Sequence, residues 1–197
     1  MKNKSLLIVL AILGVLAVFA IVTYNGLIGK DQAVKKAAAD VQAAYQKRMD
    51  LVGNLVETVK GQANFEKSTL TEVVEARSQA SSVQLTPEAL ENPETVKQFE
   101  ALQGKMMSSL SRLLVTVERY PELRANEGFL RLQDNLTEIE NEIKVERRRF
   151  NDAVMTYNNT VLRFPGNIFA GPMGFREKVM FAAEEGAEKA PKVNFGN

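Results

Sequence analysis

The chain has 197 residues, 25 Lys and Arg against 24 Asp and Glu, 45% apolar residues, and no cysteine, histidine or tryptophan. That length predicts one folding unit with enough chain left over for a separate anchor. Without Cys or His there is no thiol nucleophile, disulfide, zinc finger or imidazole base, and a formal charge of +1 gives no reason to expect nucleic acid as a partner.

After Met1-Lys2-Asn3-Lys4, residues 5–29 carry no charge. As a helix these positions reach roughly 37 Å, more than a hydrocarbon core of ~30 Å requires. The unbroken apolar part, Leu6 to Val22, is at the short end of the spanning range. Leu6, Leu10, Leu13, Leu16 and Val22 are the expected lipid-facing anchor positions, Tyr24 the interfacial aromatic, and Lys30 the end of the stretch. A cleavable signal peptide also begins with lysines, and Val18-Phe19-Ala20 offers small residues to a peptidase. Apolar chain continues past Ala20, however, so residues 1–29 are expected to stay as a transmembrane anchor. Lys2 and Lys4 before the span are nearly balanced by Lys30, Lys35 and Lys36 after it. A short head is more easily kept inside than a long domain, so N-in, C-out is the expected orientation.

Residues 30–163 read as helix throughout. Ala38, Val41, Tyr45, Arg48, Val52, Leu55 and Val59 recur at alternating steps of three and four, a heptad-like, coiled-coil stripe. Arg48 breaks its apolar character, with Met49 available to fill the gap, and Gly61 near Asn64 is a plausible stop. A run from Phe65 to Val83, with Leu70, Val73, Val74, Ala80 and Val83 on one side, either continues this helix after a kink or stands alone. Thr86-Pro87-Glu88 and Asn92-Pro93-Glu94 each place a cap before a proline and an acid, the second being the better helix start. From Glu94 the stripe is Val96, Phe99, Leu102, Met106, Leu110, Leu113, Val117 and Tyr120, stopped by Pro121. A turn to Asn126 leads into what should be the longest helix, Glu127 to about Arg163. Its stripe is Phe129, Leu132, Leu136, Ile139, Ile143, Phe150, Val154, Tyr157 and Val161, interrupted by Glu146. Pro165, Gly166, Gly171, Pro172 and Gly174 then form a breaker-rich loop, and Phe175 to about Ala187 predicts a short amphipathic helix before a polar tail. Residues 164–197 form this third region. No alternating strand pattern appears, so the fold class is all-α. It combines an N-terminal transmembrane helix with an antiparallel, up-and-down bundle of long helices.

Chemistry is sparse. Glu142 and Glu146 share a helix face, but a di-iron bundle also needs Glu-x-x-His, and there is no His. Nothing points to a substrate pocket around the pair, and a solvated helix face is the reading it supports over an acid/base site. Arg147, Arg148 and Arg149 point to three faces of one helix and make a poor phosphate patch. Asn135-Leu136-Thr137 and Asn158-Asn159-Thr160 match the glycosylation pattern without structural support. No phosphate loop, dinucleotide turn or nucleophile elbow is present. The expectations are therefore no enzyme, no catalytic or metal-binding residue and no cofactor. Mid-helix Gly53 costs about 1 kcal/mol against alanine, which close approach of another helix or a kink should offset, with Asn54 beside it to serve a bend.

The block Asp50-Leu51-Val52-Gly53-Asn54-Leu55-Val56-Glu57-Thr58-Val59-Lys60-Gly61 resembles the D-L-[IV]-P-N-L-V-E-T-V-K-G signature of the LemA family. Tyr24-Asn25, Ala76-Arg77, Glu118 through Asn126, Phe129 with Leu132-Gln133, Phe150-Asn151, Tyr157-Asn158, Phe164-Pro165 and the closing Pro191 to Phe195 are similar in the same order. Gly53 stands where that family usually has proline, and Tyr45 where tryptophan is common. The resemblance implies a bacterial single-pass membrane protein, a helical domain outside the membrane and no established activity. Gly53, Asn54, Glu57, Tyr120, Pro121 and Asn126 are candidate packing or partner contacts. Phe164, Ile168, Phe169, Phe175 and Phe181, large apolar residues in breaker-rich chain, are candidate subunit or membrane contacts, or a cap over the bundle end. The expected role is a self-assembling envelope scaffold in the cell (inner) membrane. Its expected partners are membrane lipid, other copies of the chain and further envelope proteins. A sensor or ligand-binding bundle is the alternative.

Overall fold

The computed structural model describes residues 2–62 and 65–182. Its first helix, α1 (Lys2–Lys60), is one unbroken element of 59 residues, about 88 Å long at the α-helical rise. Nothing interrupts it between the uncharged stretch and the first bundle stripe. The anchor and the first bundle helix are a single rod, and this helix, not the last one, is the longest.

The remaining elements are α2 (Lys67–Ala80), a 3₁₀ turn (Ala89–Glu91), α3 (Pro93–Val117), the single turn α4 (Pro121–Arg124), α5 (Glu127–Leu162) and the single turn α6 (Gly166–Phe169). No strand occurs among the described residues. α5 packs along α1 and α2 along α3. Lys47 pairs with Glu142 and Arg48 with Glu140, so α1 and α5 are antiparallel. Lys105 meets Gln79 and Gln103 meets the Ala80 carbonyl, which makes α2 and α3 antiparallel too. The result is an up-down-up-down bundle of α1, α2, α3 and α5, with α2 clearly the shortest.

The stripes predict the core well. Ala38, Val41, Tyr45, Val52, Leu55 and Val59 are all buried, as are Phe129, Leu136, Ile139, Ile143, Phe150, Val154, Tyr157 and Val161. Arg48 is buried beside Met49 rather than displaced by it. Its guanidinium reaches Glu140 at 3.0 Å, donates to Gln103 and lies over the Tyr45 ring, while Nε is buried without a hydrogen-bond partner. On α2 it is Ala76, not Val74, that turns inward: Val74 is exposed and Ala76 buried. On α3 Gln103 is buried where Leu102 is only half-buried.

The punctuation explains the boundaries. α1 stops one residue before Gly61, and α2 is a separate helix. Asn92 caps α3 by accepting from the Glu94 and Thr95 amides with Pro93 in the first turn, whereas Thr86 accepts from the Ala89 amide and opens only the 3₁₀ turn. Pro121 opens α4, and Asn126 caps α5 by accepting from the Phe129 amide at 3.0 Å. After α5 the chain turns sharply through a cis Phe164–Pro165 bond into α6. Gly166 has room for no side chain, because a Cβ there would lie 1.8 Å from the Thr160 carbonyl oxygen. Gly174, at φ +81°, then reverses the chain.

Beyond Gly174 the expected amphipathic helix is absent over its described part. Residues 175–182 are extended and lie against the bundle; the remainder of that expectation, and the tail to Phe195, fall outside the described residues.

Gly53 accommodates a side chain from α2. The Arg77 guanidinium lies where a Cβ at position 53 would come within 3.2 Å, and Arg77 Nε donates to the Met49 carbonyl at 2.7 Å. Met49 O is the acceptor that the amide of residue 53 serves in a regular helix. A proline at 53 would remove that amide, and Arg77 already supplies a substitute donor. Proline also adds a Cβ about 3.2 Å from that guanidinium, which must shift slightly to keep its bond to Met49. Gly53→Pro should therefore cost less in the wild-type chain than in an Arg77→Met background, where no side-chain donor reaches the Met49 carbonyl, a coupling above about 1 kcal/mol in a thermal-unfolding double-mutant cycle.

Candidate functional site

The most elaborate polar construction among the described residues is where the extended segment, here the strap, crosses the end of the bundle nearest the uncharged stretch. An extended chain brings unpaired amides and carbonyls with it, and burying them unpaired costs free energy comparable to lost hydrogen bonds. α5 supplies the partners. Asn158 accepts from the Lys178 amide at 2.9 Å and donates to the Lys178 carbonyl at 2.7 Å. Asn151 does the same to Phe181, at 2.9 and 3.0 Å. Seven helical residues rise about 10.5 Å, and three extended residues span about 10 Å. Two asparagines one heptad apart thus match strap residues three apart, with the strap antiparallel to α5. Tyr157 Oη donates to the Arg176 carbonyl at 2.9 Å, and the Val179 amide to the Leu90 carbonyl at 2.8 Å, tying the strap to the 3₁₀ turn as well.

The strap's side chains complete the lock. Lys178 is buried, with its ammonium 3.1 Å from Asp31 and 3.5 Å from Glu91, over the face of Tyr157. Asp31 also pairs with Lys35 at 2.7 Å. Burial works to raise the Asp31 pKa, but Lys35 and Lys178 outweigh it and hold this carboxyl below its ordinary value. Burial, with the Asp31 and Glu91 charges adding to it, pushes the Tyr157 hydroxyl up to about 12. At the strap's other end Arg147 joins Glu100 at 2.7 Å, donates to the Ala182 carbonyl and lies over Phe181, while Glu100 accepts from the Ala182 amide. Burial raises the Glu100 pKa despite Arg147. Arg147 is therefore a strap clamp, distinct from the exposed Arg148 and Arg149.

The site residues expected from sequence divide accordingly. Phe181 is not at the surface: it sits in the core between Phe99 and Phe150. Phe175 is half-buried against Tyr24, ring centres 5.9 Å apart, and Phe169 is half-buried, while Phe164 and Ile168 are exposed. Leu6, Leu10, Leu13, Leu16 and Val22 are exposed along the free part of α1. At the opposite end of the bundle, Tyr120 packs on Phe65, Pro121 and Asn126 start helices, and Asn54 and Glu57 face solvent. Glu142 and Glu146 do not converge on a site: Glu142 pairs with Lys47 and Glu146 with Arg149. Among the described residues no group of three or more acidic side chains could hold a metal. Asn158, which opens one of the two matches to the glycosylation pattern, is buried and committed to the strap.

Residues 37–195 match the LemA family. The chain belongs to the LemA family. It is 24% identical to magnetosome protein MamQ 2 of Paramagnetospirillum magneticum, covering 89% of this chain and 71% of that protein. It is 23% identical to protein LemA of Metamycoplasma hominis (82% of this chain, 69% of that one) and to magnetosome protein MamQ of Magnetospirillum gryphiswaldense (92% and 74%). The family match spans both the α1 signature and the strap.

Two outcomes follow from the lock. Lys178→Met keeps the side chain's bulk but leaves Asp31 and Glu91 facing an uncharged group. It should destabilise the bundle by on the order of 3 kcal/mol, read by circular dichroism in detergent; a change below about 1 kcal/mol would show the pair idle. The Tyr157 hydroxyl stays protonated in the fold to about pH 12 but ionises near 10 when unfolded. Its contribution is complete below pH 10, and the melting temperature should fall as pH rises from 10 toward 12. Tyr157→Phe should flatten that slope relative to wild type.

Proposed function

We propose that this LemA-family protein is a membrane-anchored, non-enzymatic helical scaffold of the cell envelope that assembles with copies of itself. The observation that carries this reading is the continuity of α1. Among the described residues it is the one helix long and apolar enough to cross a membrane, and its apolar window is not covered by the rest of the chain. It enters the bundle without a break and is clamped there by α5 along its length. A span joined to its domain by a flexible linker transmits little, whereas a continuous rod fixes the domain's orientation to the bilayer. Strap, ion pairs and aromatic core all add rigidity to that unit rather than opening a cavity. The N-in, C-out orientation and the inner membrane fit a long folded domain that follows the span.

A ligand-sensing bundle would need convergent polar groups around an internal pocket. Here the interior is filled by Phe99, Phe129, Phe150 and Tyr157, all under 2% exposed.

Mass photometry of the full chain extracted in mild detergent should show particles holding several copies of the 21.9 kDa subunit. A single-copy particle at all protein concentrations would remove the self-assembly part of this reading.

A further inference from the structure

The antiparallel register of α1 and α5 fixes the height of everything at the strap end. Arg48 faces Glu140, Lys47 faces Glu142 and Tyr45 faces Arg147. Both helices rise equally per residue, so the last turn of α5, ending at Leu162, comes level with Leu27 and Ile28 of α1. Those positions belong to the uncharged stretch. The fold descends still further. Leu27 is wholly buried, and Thr23 and Ala20, one and two turns earlier, are partly covered. Tyr24 carries the Phe175 ring. The corner made by the end of α5, the Phe164–Pro165 bond and α6 therefore lies beside α1 at the depth where apolar span gives way to charged chain.

The exposed side chains of that corner are the wrong ones for water. Phe164 is 77% exposed, the most exposed large apolar side chain of the described protein, with Leu162 at 56% and Ile168 at 55%. Arg163, also exposed, stands between Leu162 and Phe164, where a cation can reach lipid phosphates. An apolar cluster with an interleaved cation, at the level of an interfacial tyrosine, is the composition of a segment resting in the headgroup–acyl boundary.

We propose that the α5–α6 corner is a second membrane contact, inserting Leu162, Phe164 and Ile168 into the lipid surface beside α1. The bundle is then held at two points and cannot tilt about the span. This inference rests on the reading that α1 crosses the bilayer, and its test separates the two.

The chain has no tryptophan, so one introduced indole reports alone. The full chain carrying F164W, V15W or V115W is reconstituted into phosphatidylcholine–phosphatidylglycerol vesicles whose acyl chains are plain, brominated near the headgroup, or brominated near the chain end. Position 15 lies mid-span and Val115, 67% exposed, on α3 toward the far end of the bundle. The expected result is a blue-shifted F164W emission that loses intensity in brominated vesicles, with V15W also sensitive to bromination in the acyl chain and V115W unaffected. Quenching of V15W without quenching of F164W overturns the second contact and leaves the span intact. A blue-shifted but unquenched F164W overturns it in favour of cover by another copy of the chain. An unquenched V15W removes the spanning reading itself.

Discussion

A non-helical segment can be buried in a helical bundle only if its peptide groups find partners that are not its own. That constraint organises the near end of this molecule. The partners are the Asn151 and Asn158 carboxamides, each of which presents one donor and one acceptor and so imitates the edge of a strand. Because the heptad rise of α5 equals three residues of extended chain, two such groups dock the strap in a single register. The register then decides the rest: Phe181 fills the gap between Phe99 and Phe150, Lys178 faces Asp31 and Glu91, and the Ala182 amide meets Glu100.

The strap also closes the bundle laterally. Its contacts reach α1 through Asp31, the 3₁₀ turn through Leu90 and Glu91, α3 through Glu100, and α5 through Asn151 and Asn158. Three regions far apart in sequence, α1, the 3₁₀ turn with α3, and α5, are thus joined by eight residues of chain. α2 is not among them; it is attached through α3 and through the Arg77 contact with Met49 instead.

Much of this was legible in the sequence because it depends on local rules. Heptad spacing marked the buried faces of α1 and α5, and the Asn92-Pro93-Glu94 signal marked the start of α3. Where the reading failed, the deciding partner was remote. Phe175, Val179 and their neighbours carry helix-like spacing, yet the hydrogen bonds that make them extended come from Asn151 and Asn158, some twenty to thirty residues earlier. Those asparagines sit seven apart at the edge of an apolar stripe, in the Phe150-Asn151 and Tyr157-Asn158 pairs that resemble the LemA pattern, and these are the signals that could have exposed them. Arg48 looked like a defect because its acceptors, Gln103 and Glu140, lie 55 and 92 residues away. Val74 was placed inward on size, whereas the three- and four-residue steps from Leu70 through Val73, Ala76 and Ala80 put Ala76 on the buried face.

The charges of the near end show why a lysine can be buried there at all. An isolated ammonium removed from water is costly, and one carboxylate repays it only with good geometry. Lys178 has two, Asp31 and Glu91, and Asp31 has a second cation in Lys35. Two positive and two negative groups therefore leave no net charge around the buried ammonium, with Lys35 and Glu91 on the solvent side of the cluster. The aromatic face of Tyr157 adds attraction for the ammonium without adding a charge. The same balance explains the opposite behaviour of two acids in one site. Asp31 is held ionised because cations surround it, while the Tyr157 hydroxyl is held neutral because an anion there would sit in a buried space beside two carboxylates.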